Sequence, residues 1–190
     1  MSLVVLKVGG ASAAGAASAV FGLDRVCVVH GAGPQISAEM QRRGLPVEFV
    51  AGRRVTTAAG LEVVRESFAA VNAELCAAIP GAVGLMGDEI GLPATQVPEL
   101  GLVGEPLPSA PQQVLDVLAV GLGADRISFL TDVPGLLYGG SVVRTINADD
   151  AQGLLDRGEL EGGILPKLRA AVIAARLGVH TEIGATAVTA

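Results

Sequence analysis

An α/β fold built on a mainly parallel central sheet is predicted for this chain by three observations. Leu3-Val4-Val5-Leu6 is a short apolar run that ends in Lys7-Val8-Gly9-Gly10. The device repeats at Val26-Cys27-Val28-Val29, followed by His30-Gly31-Ala32-Gly33-Pro34, and again at Ile127 to Leu130, followed by Thr131-Asp132-Val133-Pro134-Gly135. Apolar, β-branched runs closed by glycine turns read as buried parallel strands. Between the first two lies an Ala-rich stretch, Ala11 to Phe21, whose composition favours helix. Strand, turn, helix, strand, turn is the opening of an α/β sandwich, where ligands bind beyond the carboxyl ends of the strands.

The remaining elements follow in order. Gln35 to Arg43 reads as a helix closed by Gly44, and Val47 to Val50 as a short strand leading into Gly52-Arg53-Arg54-Val55-Thr56. From Thr57 to Ile79, Leu61, Val64, Phe68, Val71 and Leu75 recur at helical spacing and predict a long amphipathic helix. Ala82 to Leu85 reads as a strand, and the proline-rich stretch Pro93 to Pro111 as an irregular segment at a lobe boundary. Ala148 to Leu155 and Pro166 to Leu177 are expected helices, the first capped by Asn147 and the second closed by Gly178. The expected lobes are residues 1–112 and 113–190.

Composition narrows the function. The chain has 190 residues, a hydrophobic content of 51% and a net charge of −6, which supplies a core but no basic stripe for nucleic acid. No apolar run is long enough to span a bilayer, and the N-terminus lacks the signal-peptide pattern, so a cytoplasmic protein is expected. Cys27 and Cys76 read as small core residues, and His30 as a strand-end residue bonded to backbone. Neither lysine ends a P-loop, Ile36 breaks a dinucleotide fingerprint begun at Gly31, the histidines lack spaced metal partners, and no nucleophile elbow occurs.

The lysines carry the positive signal. Lys7 and Lys167 are the only two, each beside a Gly-Gly pair, whereas the other eleven basic residues are arginine. Lysine is a compact point charge and arginine a planar fork, so lysine beside bare backbone suits close approach of phosphoryl oxygens. Backbone N–H groups aided by Lys7, Arg54 and Lys167 suit phosphoryl transfer, where positioning and charge neutralisation carry most of the catalysis.

Lys7-Val8-Gly9-Gly10, Val28 to Gln35, Gly52 to Thr56, Thr131 to Gly135 and Gly162-Gly163-Ile164-Leu165-Pro166-Lys167 occur in one order. That series, with Glu62-Val63-Val64, Val71-Asn72 and Gly101 to Gly104, resembles the amino-acid kinase superfamily and, within it, the acetylglutamate kinases. The resemblance implies a three-layer α/β/α sandwich, with an N-terminal lobe for N-acetyl-L-glutamate and a C-terminal lobe for ATP carrying Mg2+. It implies that Lys7 and Lys167 are catalytic, approaching one cleft from opposite lobes. Gly31, Ala32, Gly33 and Arg54 would bind the acceptor. Gly9, Gly10, Asp132, Val133, Pro134, Gly135, Leu136, Leu137, Glu159, Leu160 and Glu161 would line the nucleotide. No protein-held metal, nucleic acid or membrane is implied, and a homodimer without feedback inhibition is expected.

The chain departs from the family pattern in three places, one of them a short segment after Gly10. Nothing like the family's Asn-x-Asn-Ala-Asp motif precedes Ile127, and Asn147-Ala148-Asp149 follows Asp132 instead. The family's Asp-Gly-Arg stretch and helix are missing after His180. Two readings follow: a shortened record of a longer enzyme, interrupted near Asp116-Val117 and near His180-Thr181, which is the expectation, or a degenerate relative.

Overall fold

The computed structural model describes residues 2–9, 13–50, 53–86, 89, 121–131 and 133–190. The expected proline-rich segment, the Gly101 to Gly104 run, the Asp116-Val117 junction, Gly10 and Asp132 lie outside those residues. Contacts divide the chain into two compact units.

The first unit comprises Met1–Val8, Val20–Val29 and Ala110–Ala190. Its strands are β1 (Leu3–Val8), β2 (Arg25–His30, whose last residue belongs to the other unit), β5 (Arg126–Leu130), β8 (Thr145–Asn147), β9 (His180–Ile183) and β10 (Thr186–Thr189). They form one sheet in the order β2-β1-β5-β9-β10-β8. The pairs β1–β5, β5–β9 and β10–β8 are parallel, and β10–β9 is an antiparallel hairpin. Helices α4 (Ala148–Asp156) and α5 (Ile164–Arg176) pack together, and α5 packs on β5, β9 and β10. The core beneath them joins Leu3, Val5, Ile127, Phe129 and Ile183 of the sheet to Ala151, Leu154, Leu168, Ala171 and Val172. Small helical residues let α5 lie close to the sheet, so a chain poor in aromatics still fills this core. Asn147 caps α4 by accepting the Asp150 amide at 2.7 Å, as expected.

The second unit, Gly9–Ala19 and His30–Ser109, carries α1 (Ala13–Val20, all but its last residue), α2 (Gly33–Arg42), the hairpin β3 (Phe49–Val50) with β4 (Arg53–Arg54), and α3 (Ala58–Ala78). Thr57 caps α3 by accepting the Gly60 amide at 3.1 Å. Val63, Val64, Ser67, Val71 and Leu75 form its buried face. The helix packs on α2, and Arg43 pairs with both Glu39 and Glu66 at that contact.

The pairing of β1 with β5 groups β1 with the C-terminal residues in the first unit. Two expectations differ from the structure. Ala82 to Leu85 is not a strand: Gly84 lies so close to the Asn72 amide on α3 that a Cβ there would meet its oxygen at 2.4 Å. The chain is not interrupted at His180-Thr181, since β9 runs through both residues and pairs them with Arg126 and Ile127. A further hairpin, β6 (Leu137–Tyr138) with β7 (Ser141–Val142), turns on Gly139 and Gly140, both at positive φ. That conformation suits a two-residue turn.

Candidate active site

Strand alternation sets the side on which Lys7 stands. In β1, Leu3 and Val5 face the core under α5, so Lys7, two residues on, faces the same side at the carboxyl end of the strand. Lys7 pairs in register with Phe129 of β5, and Thr131 follows two residues beyond Phe129. Lys167 stands in the first turn of α5. A cation there is disfavoured by the helix dipole unless an anion joins it.

The Lys167 ammonium donates to the Thr131 hydroxyl at 2.9 Å, and the Lys7 ammonium donates to the Val8 carbonyl at 2.8 Å. Burial and then repulsion from Lys167 push the Lys7 ammonium down from its ordinary value to about 8. Two ammonium groups that repel each other form a site that gains from a bound anion. Both belong to the first compact unit.

An open groove of about 580 Å³ adjoins Lys167, with Val133, Gly135 and Leu137 on one side and Glu159 to Glu161 on another. Six residues expected at the nucleotide therefore line one cavity, and Gly163 and Ile164 at the start of α5 join them. Leu136 does not: its side chain is fully buried in the core. Pro134 is exposed but is not part of the lining, and Gly9 belongs to the other unit. Glu159 accepts from the Tyr138 hydroxyl at 2.5 Å and pairs with Arg157, and these contacts hold its carboxyl below the usual range. The β6–β7 hairpin is thereby tied to the groove's acidic wall.

The loop on the groove's other side is fixed by a buried threonine. Leu136 N donates to Thr186 Oγ1 at 2.8 Å, and that hydroxyl donates to the Val143 carbonyl at 2.7 Å. The turn between β9 and β10 reinforces it, with Ala185 N donating to the Pro134 carbonyl at 2.8 Å. Gly184, at φ +54°, passes so near that carbonyl that a Cβ would lie 2.8 Å from it. Neither Thr131 nor Thr186 was among the expected site residues, since a single threonine carries no spacing signal.

In the second unit, Arg54 is buried, with 9% of the residue exposed. It lies over the Phe49 ring at 4.7 Å and donates to Ser37 Oγ at 2.8 Å and the Gly33 carbonyl at 3.2 Å. Gly31, Ala32 and Gly33 form the turn into α2, with Ala32 buried and Gly33 open to any ligand that approaches its backbone. The expected acceptor residues thus gather at the start of α2, where helix N–H groups favour an anion.

The amino acid kinase family model matches residues 2–105 and 113–184. An acetylglutamate kinase from Rubrobacter xylanophilus is 36% identical over 96% of this chain and 88% of its own length. Among solved structures, a protein from Streptococcus mutans UA159 matches with TM-score 0.71 and 21% identity, covering 98% of each chain. The carbamate kinase of Giardia matches with TM-score 0.67 and 14% identity, covering 99% of this chain and 98% of that one. At those identities the structures speak for the fold, and they share its α/β architecture and mostly parallel sheet. With a family model matched along most of its length, the chain belongs to the amino acid kinase family.

Proposed function

We propose that this protein transfers the γ-phosphoryl group of ATP to the side-chain carboxylate of N-acetyl-L-glutamate, giving N-acetyl-L-glutamyl 5-phosphate for arginine biosynthesis. The observation that carries this reading is that the chain's only two lysines act on each other electrostatically, with Lys167 lining an open groove, in a chain 36% identical to an acetylglutamate kinase. A carboxylate oxygen attacks the γ-phosphorus, and the bond from that phosphorus to the β,γ-bridging oxygen breaks with its electron pair going to ADP. The acceptor carboxyl, with an ordinary pKa of about 4.3, is already ionised at neutral pH, so no general base is needed. Lys7 and Lys167 neutralise charge on the transferring group, and Arg54 with the Gly31–Gly33 turn holds an acceptor carboxylate.

The groove fits a nucleotide: its size is that of a small-molecule site, and the α5 N-terminus and Lys167 offer N–H groups and charge to phosphate. Among the described residues no three carboxylate, His or Cys side chains gather to hold a metal ion. The proposal has Mg2+ enter on the triphosphate, where it would neutralise phosphate charge. Among the described residues no helix is long and apolar enough to cross a membrane. We place the enzyme in the cytoplasm as a homodimer.

A panel of acceptors tests the reading. ADP release should be fastest with N-acetyl-L-glutamate, and faster turnover of carbamate, aspartate or a carrier-bound aminoadipate would reassign it to a sibling kinase. A second reading rests on the missing Asn-x-Asn-Ala-Asp motif: a relative that binds both ligands without turnover. Calorimetric binding of ATP and acyl-glutamate with no ADP release would establish it.

A further inference from the structure

We infer that Thr131 is a positioning residue whose hydroxyl fixes the Lys167 ammonium beside Lys7. The inference rests on the phosphoryl-transfer reading for its catalytic consequence, and on geometry for the rest. Two ammonium groups repel, and a lysine stem has four rotatable bonds, so Lys167 left to itself would swing toward solvent. Among the described residues, the side-chain hydrogen bond that opposes that swing is the 2.9 Å one from Lys167 Nζ to Thr131 Oγ1, made across 36 residues of sequence.

The sheet sets where that hydroxyl stands. Phe129 pairs with Lys7 in parallel register, and Thr131 continues from Phe129 on the α5 side beyond the end of β5. A charge-assisted bond to a hydroxyl held by the sheet is directional. The same oxygen meets the Val133 amide at 3.5 Å, which links the lysine to the loop lining the groove. Chemistry supports threonine over a carboxylate in this place. An aspartate would neutralise Lys167 and weaken its pull on phosphoryl oxygens, whereas a hydroxyl orients the ammonium and leaves its full charge for the ligand.

The chain's composition makes the test direct. Lysine labelled with 13C at the ε-carbon gives only two side-chain signals, from Lys7 and Lys167, and each can be titrated without any substrate. In wild type, Lys7 should titrate near 8. Thr131→Val should release Lys167 and move the Lys7 midpoint upward, partway to an ordinary lysine because burial remains. Thr131→Ser should restore the wild-type midpoint. Lys167→Met should raise the Lys7 midpoint similarly, and adding Thr131→Val to that variant should then change nothing further. In turnover, Thr131→Val should lower kcat on the order of 10- to 100-fold, as expected for a misplaced reacting group. The KM for ATP should stay within a few-fold of wild type, with Thr131→Ser close to wild type in both.

An unchanged Lys7 midpoint in Thr131→Val would overturn the inference, as would a further shift when Thr131→Val is added to Lys167→Met. Thr131→Ala, which introduces no new bulk, gives the same reading if the valine variant does not fold. Absence of turnover with every acceptor would instead overturn the proposed function while leaving the titration to decide the role of Thr131.

Discussion

Replacing Thr186 with valine keeps the volume of a fully buried side chain and removes only its hydroxyl. Two groups then lose their partner: the buried Leu136 N–H and the partly buried Val143 carbonyl. A buried donor left unpaired costs about 1–3 kcal/mol, and the carbonyl, nearer to water, costs less, so a loss of roughly 2–3 kcal/mol is expected. Thr186→Ser keeps the hydroxyl and loses one methyl, for about 1 kcal/mol. The damage should be functional too, because the 133–137 loop lines the groove. Nucleotide affinity should fall several-fold in the valine variant and hold in the serine one. Gly184→Ala attacks the same clamp from the other side, forcing φ +54° on a residue with a Cβ against the Pro134 carbonyl. Urea unfolding with and without nucleotide measures all three variants. A valine variant within about 0.5 kcal/mol of wild type would refute the clamp.

Three further outcomes are expected. With its folded value near 8 against 10.5 unfolded, Lys7 binds fewer protons in the folded state between those values, so stability should rise with pH across that window. Turnover should fall over the same range as Lys7 loses its charge, and nucleotide binding near pH 8.5 should take up protons, read from calorimetry in buffers of differing ionisation enthalpy. Replacing Lys7 or Lys167 with Ala should lower kcat on the order of 100- to 1000-fold and weaken ATP binding far less, since the charge is needed most in the transition state. Arg54→Lys should weaken acyl-glutamate binding roughly tenfold by removing the fork while sparing ATP, and Arg53→Lys should be nearly silent in both titrations.

Local chemistry made much of this legible. The β-branched runs before glycine turns announced β1, β2 and β5, and the caps Thr57 and Asn147 marked two helix starts because a side-chain oxygen must satisfy the first free amides. Lys7 and Lys167 stood out because lysine is otherwise absent, and the structure brings them to one end of the sheet. Other elements depend on partners far along the chain. The β9–β10 hairpin consists of two four-residue strands whose existence rests on pairing with β5 and β8, and no window of sequence contains that information. The Gly139-Gly140 pair is a local turn signal, since both residues adopt positive φ. Ala82 to Leu85 had the composition of a strand, yet Gly84 packs on Asn72 of a helix. Thr131 and Thr186 reach their partners across 36 and 50 residues. Such contacts exist only once the sheet register is set.

Trapping the product with hydroxylamine tests the central claim most directly, because an acyl phosphate reacts to a stable hydroxamate and a phosphate ester does not. With ATP, Mg2+ and N-acetyl-L-glutamate, wild type should form acyl-glutamyl hydroxamate in step with ADP, and the Lys7→Ala and Lys167→Ala variants should form almost none. ADP release without hydroxamate, or hydroxamate formed equally well without the lysines, would contradict the account.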